Sequence, residues 1–202
     1  MTPGQSARRI LGPVFPIFGQ AYRRLFVDMG KVADWAAARI SRGAHVLEVG
    51  GGDGYFAELL LARRADITIT LLDVASEIGT FVHPRHLGRL RLMPETDISE
   101  LEGRFDAMAV VDVVHHVPLP RRGAFLMSAA DAAARSGCGA IFVKDIEPVG
   151  VRARLGLWAD LFITGDKGVS QIPSREVAFP RFKLQERAMP DFPNYCLMFE
   201  PE

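Results

Sequence analysis

The chain has 202 residues, 49% of them hydrophobic, with 24 acidic and 24 basic side chains that cancel to zero formal net charge. That length suits one domain, or one domain with a small cap, and the apolar content supports a core without disulfides or metal. Zero net charge excludes a general electrostatic nucleic-acid binder, which would carry a basic footprint. Residues 1–14 read as loosely structured. Pro13, Pro16 and Gly19 break the apolar stretch near the start, so it forms neither an export-signal core nor the roughly 18 apolar residues of a membrane span.

From Phe18 to Ile40 the apolar residues fall three and four apart, which predicts a helix that Gly30 could interrupt and that Ser41-Arg42-Gly43 ends. Val46–Val49 is the first strand, Tyr55–Arg64 a helix and Ile67–Leu72 the second strand, running into Asp73. Gly79 and Pro84 cut the following connection. Leu90–Met93 is the third strand, Phe105–Val111 the fourth, Arg121–Arg135 an alanine-rich helix and Ala140–Val143 the fifth strand. Strands alternating with helices imply parallel pairing through right-handed crossovers. Past Asp145, Val151–Ile163 reads as a helix. Arg181–Met189 and Asn194–Glu200 then form a closing antiparallel hairpin across Pro190–Pro193. The expected fold is α/β: a single Rossmann-like, doubly wound sheet of seven strands, mostly parallel, with a C-terminal antiparallel hairpin. Residues 1–43 are expected to form an N-terminal helical cap on a domain spanning 44–202.

The run Glu48-Val49-Gly50-Gly51-Gly52-Asp53-Gly54-Tyr55 is the most specific stretch. A strand, a glycine turn and a helix N-terminus let a ligand approach backbone atoms closely. The dinucleotide pattern G-x-G-x-x-G fails in both registers, since Tyr55 or Phe56 occupies the third glycine position. The Gly-Lys-Ser/Thr of a phosphate-binding loop is missing from the turn. Glu48-x-Gly50-x-Gly52-x-Gly54 fits a different pattern, with an acid at each of four successive strand ends: Glu48, Asp73, Asp112 and Asp145. Such a row suits a cationic or polyhydroxyl ligand.

These residues resemble the first motif of class I S-adenosylmethionine (SAM)-dependent methyltransferases of the small-molecule type. Asp112-Val113-Val114-His115-His116-Val117-Pro118 resembles their fourth motif, and Val143–Pro148 extends the likeness, so that it covers residues 44 to about 148. The resemblance implies SAM as cofactor and S-adenosylhomocysteine (SAH) as product. It places Glu48, Gly50, Gly51, Gly52 and Gly54 in the turn, Asp73 and Val74 at the ribose, Asp97 and Ile98 at the adenine, and Asp112 and Val113 along the methionine arm. His115, with His116 second, is the candidate general base, although His-His also occurs in related enzymes that work by proximity alone. Tyr22, Asp145 and Asp160 are candidate acceptor contacts. No metal is expected, because no compact ligand cluster of recognised spacing is visible. Cys138 and Cys196 read as buried thiols, which suits a cytoplasmic location. The expected function is methyl transfer to a small-molecule acceptor at a hydroxyl oxygen, in secondary metabolism, without nucleic-acid partners. A homodimer is compatible with this reading. A non-catalytic SAM-binding module and a methyltransferase acting on protein or RNA are the competing readings.

Overall fold

A computed structural model describes residues 28–164 and 170–202, with the side chains of 156 and 159–164 left aside. Helix α1 (Met29–Ala37) opens at Asp28, whose carboxylate accepts the Lys31 N–H. Such a cap satisfies a donor that has no partner within the helix. Met29, Val32, Ala33, Trp35 and Ala36 form its buried face. The helix stops before the expected Ile40 because the Arg64 guanidinium takes the carbonyls of Ala37, Ile40 and Ser41. Gly30 lies within its first turn and does not break it.

Strand β1 (His45–Val49) leads through the glycine turn into α2 (Tyr55–Arg63), and β2 (Thr68–Leu72) and β3 (Leu90–Met93) follow. Strand β4 (Ala107–Val111) begins two residues later than expected, since the Phe105 N–H donates to Ser136 O outside the ladder. Helix α3 (Leu119–Ser136) starts earlier than expected, because prolines are tolerated in a first helical turn. It ends at Gly137, whose φ of 78° closes the C-terminal turn. Strand β5 spans Ala140–Ile146, α4 spans Gly150–Thr164, and β6 (Phe182–Asp191) and β7 (Asn194–Pro201) close the chain.

The seven strands run in the order β3-β2-β1-β4-β5-β7-β6, with the last two antiparallel. Strand order therefore reverses between β1 and β4, and open α/β sheets bind ligands outside the carboxyl ends at such a point. Two cores cover the two faces of the sheet. One packs α3 against Leu47, Val49, Met108, Val110, Ile141, Val143, Tyr195 and Leu197. The other packs α1 and α2 against Val46, Ile69, Leu71, Ala109, Phe142 and Cys196. Alternation along a strand then fixes where the polar residues go. Glu48 and Lys144 lie on the α1/α2 face, and Asp145 lies on the α3 face. Both cysteines are buried and free, and burial pushes each thiol up to about 12. No described helix is long and apolar enough to cross a membrane.

One expectation is corrected here. Asp145 is inside β5 rather than beyond its end, because antiparallel pairing with β7 runs from Ile141–Phe199 to Ile146–Asn194 and extends the strand past Val143. Glu48 is likewise the penultimate residue of β1.

Candidate active site

The glycine turn begins where the Gly50 N–H donates to Leu72 O at 2.7 Å. Gly50, Gly52 and Gly54 have φ values of 68°, 51° and 81°, a region that costs other L-residues about 1–2 kcal/mol. Gly51 is required for room instead: a Cβ there would lie 2.6 Å from Leu71 Cγ and 3.0 Å from Glu48 Cδ. A Cβ on Gly50 would lie 2.6 Å from Val113 Cγ2, so the turn packs directly on the segment after β4. Gly52 differs, for a Cβ there would meet nothing within 4 Å. Its open side is where a ligand can reach the backbone.

Two carboxylates organise this turn. Asp73 follows β2 and accepts the Gly52 N–H at 2.9 Å on one oxygen and the Ala75 N–H at 2.9 Å on the other. It is thereby held beside the turn, with Val74 exposed next to it. Glu48 lies beneath the turn, 2% exposed, and its Oε2 is buried without a hydrogen-bond partner among the described residues. Burial raises its carboxyl to about 8, and the nearby charges of Asp53 and Asp73 push the same way. The loop after β3 is tied to the same place, since Asp73 O accepts from Thr96 N and Ala75 O from Glu95 N. Asp97 caps a short turn there. Its Oδ1 accepts from Ser99 Oγ and Ser99 N, which hold its carboxyl below the ordinary value, and Ile98 is buried behind it.

Beyond β4, Asp112 sits at φ 56° and donates its N–H to Lys144 O at 2.9 Å. Its Oδ1 accepts from Lys144 Nζ at 2.5 Å. Val114–His116 forms a short 3-10 turn. The buried His115 ring places Nδ1 2.8 Å from Asp145 Oδ1, and its backbone N–H donates to Asp145 Oδ2. Asp145 is fully buried and also accepts from the Ile146 N–H. Burial opposes its ionisation, yet His115, Lys144 and that N–H outweigh burial and hold its carboxyl below the ordinary value. The His116 ring lies 4.1 Å from that of His115, tilted 41°. Arg122 on α3 donates to the carbonyls of Val117 and His115 and to Ser170, which fastens the turn from below.

Tyr22 lies outside the described residues, as does the side chain of Asp160. The remaining predicted cofactor residues meet around the β1–β4 crevice, while Asp145, expected as an acceptor contact, is engaged with His115. Sequence reasoning overlooked Lys144 and Arg122. The signal for Lys144 was present, a cation directly after the apolar run Ala140–Val143. One donor atom each from Asp112, His115 and Asp145 also come within 4.8 Å of one another, a compact group that the sequence did not reveal. Cavities of about 440 and 200 Å³ lie toward the amino ends of β4 and β5; Ser99, the partner of Asp97, lines the larger, and none of the predicted site residues lines either.

A family model described as a methyltransferase domain matches residues 21–178. The chain belongs to this methyltransferase family. No curated protein matches the sequence. Among solved structures, the mitomycin 7-O-methyltransferase MmcR is 19% identical, with a TM-score of 0.66 over 88% of this chain and 54% of that one. The O-methyltransferase NcsB1 from neocarzinostatin biosynthesis, solved with SAM and 2-hydroxy-5-methyl naphthoic acid, is 18% identical, with a TM-score of 0.66 over 96% and 58%. The magnesium protoporphyrin IX methyltransferase of Synechocystis PCC 6803, solved with SAH, is 16% identical, with a TM-score of 0.61 over 92% and 88%. The chain thus spans a little over half the length of MmcR and of NcsB1.

The crevice of this methyltransferase domain fits SAM on its own chemistry. The Glu48 carboxyl, with no partner on Oε2 among the described residues, can ionise to meet a buried cation, and the open side of Gly52 leaves room above it. Asp73 retains lone pairs for a ribose diol after accepting its two backbone N–H groups.

Proposed function

We propose that this methyltransferase transfers a methyl group from SAM to a hydroxyl oxygen of a small-molecule acceptor, with His115 as general base. The observation that carries the cofactor half is Glu48, a buried carboxyl whose Oε2 has no partner among the described residues, beneath a turn in which Gly50 and Gly51 leave no room for a side chain. SAM supplies a methyl group on a sulfonium, with a neutral thioether as leaving group. The protein must therefore align the acceptor, exclude water and take one proton.

Glu48 would hold the ammonium of the methionine arm, and Asp73 the ribose hydroxyls. Val74, Asp97 and Ile98 would border the adenine, and the backbone of Asp112–Val113 the methionine chain. On the acceptor side, Asp145 takes the Nδ1 proton of His115 in a hydrogen bond. That fixes the tautomer and leaves Nε2 as the basic nitrogen. Asp145 is thus a positioning residue. Tyr22 and Asp160 remain the proposed acceptor contacts, with residues 1–43 as a cap on the domain. The likeness to a mitomycin 7-O-methyltransferase and to an enzyme of neocarzinostatin biosynthesis supports a role in secondary metabolism; a cytoplasmic location and no nucleic-acid partner complete the proposal.

His115→Gln tests this directly. With SAM and a panel of hydroxylated aromatics, wild type is expected to form SAH, and the variant to do so about 10²–10⁴-fold more slowly. SAH affinity should be retained. Unchanged turnover in the variant would remove His115 from the chemistry.

A further inference from the structure

Lys144 is a buried charged group at this crevice to which the SAM reading assigns no role. It is 1% exposed on β5, on the α1/α2 face, and pairs in register with Val111 at the end of β4. Among the described residues its Nζ has one acceptor, Asp112 Oδ1. An ammonium carries three donors, and burying it is costly unless they are used. An apolar side chain between Val143 and Asp145 would serve folding at least as well. Its partner Asp112 holds a left-handed backbone at φ 56°, a strain that clusters at functional sites.

The position is specific. Val113, the next residue, packs against Gly50 of the cofactor turn. An oxygen of Asp112 also lies within 4.8 Å of a His115 ring nitrogen. The Asp112 carboxylate therefore occupies a spot flanked by an ammonium on one side and an imidazole on the other. Were the Asp112 carboxylate, 34% exposed, to turn outward, the Lys144 ammonium left behind would repel the sulfonium of SAM unless another anion took its place. An acceptor bearing its own negative charge meets that need.

We infer that Lys144 is the anion-binding residue for the methyl acceptor, and that it selects a small hydroxy acid whose carboxylate takes the place the Asp112 carboxylate now holds. This rests on the methyl-transfer reading above. The acceptor hydroxyl, beside the bound carboxylate, then gives its proton to His115 Nε2. Its oxygen forms the new O–C bond, and the C–S bond breaks with its electron pair going to sulfur.

The test uses the SAH complex of the full chain, titrated calorimetrically with salicylate and with its neutral analogue salicylamide. Wild type is expected to bind salicylate more tightly than salicylamide. Lys144→Met and Lys144→Gln should bind SAH as wild type does, but salicylate about tenfold or more weakly. Lys144→Arg should keep the preference for the anion. Equal binding of the two probes by wild type, no salicylate binding to its SAH complex, or undiminished salicylate affinity in the neutral variants overturns the assignment. The wild-type comparison needs no variant to fold. Failure of wild type to bind SAH at all is a separate result, and it overturns the methyl-transfer reading itself.

Discussion

Glu48→Gln is the most revealing single change, because it replaces a buried acid by a neutral side chain of the same shape. The Glu48 carboxyl is raised from 4.5 to about 8, first by burial and then by Asp53 and Asp73. The folded protein therefore holds a proton that the unfolded chain releases. Below about pH 4.5 both states are protonated and no stability is lost. As pH rises from there to about 8, the unfolded state gains by ionising and the folded state loses stability. A shift of this size corresponds to about 5 kcal/mol at the upper end of the window. In urea titrations without cofactor, the variant should be nearly flat in this respect, so its advantage over wild type grows from pH 4.5 to 8.

The same side chain makes cofactor binding proton-linked. Roughly nine in ten Glu48 carboxyls are protonated at pH 7 when the group titrates near 8. Pairing with an ammonium requires the ionised form. SAH binding to wild type should then release about 0.9 proton at pH 7, seen as different calorimetric heats in phosphate and in Tris. Glu48→Gln should release none and bind more weakly. Equal heats in both buffers, with parallel pH–stability curves for the two proteins, would refute the placement of the ammonium at Glu48.

Four further outcomes follow from the same geometry. Gly50→Ala combines a left-handed φ with a Cβ 2.6 Å from Val113, and should cost about 2–4 kcal/mol. Gly52→Ala, with open space at its Cβ, should cost only about 1 kcal/mol and still weaken SAH binding. Thermal melts and SAH titrations of both variants separate these effects. Asp73→Ala removes the acceptor of the ribose hydroxyls and should cost SAH about 100-fold in affinity by calorimetry. Asp145→Asn breaks the buried pair with His115 and should cost about 3–5 kcal/mol near neutrality. The Asp145 carboxyl is held below its ordinary value of 3.8. Wild type's advantage is therefore present above that pH and shrinks as pH falls through the lowered value, which denaturant titrations between pH 6 and 3 would follow.

Much of the fold was legible because its signals are local. Apolar runs ending in acids marked β1, β2 and β4, and the glycine register marked the crevice before any tertiary contact was known. What stayed hidden depends on long-range pairing. Strand β5 reaches Lys144 by pairing with both β4 and β7 and continues through Asp145 to Ile146 because β7 lies against it, and nothing in Lys-Asp-Ile predicts a strand. That extension turned Asp145 from an expected acceptor contact into the buried partner of His115. Helix α1 stops early because a guanidinium 24 to 27 residues away takes its last carbonyls. The Asp112–Lys144 pair joins residues 32 apart and needed the β4–β5 register to be seen.

The central claim is that a methyl group moves from SAM to an oxygen of a small molecule. Incubating the protein with methyl-labelled SAM and a panel of small hydroxy acids, then separating products by mass spectrometry, tests it most directly. The account predicts one SAH for each labelled methyl recovered as an ether of the acceptor. Label that remains in SAM, or that is recovered on protein or RNA instead, would contradict it.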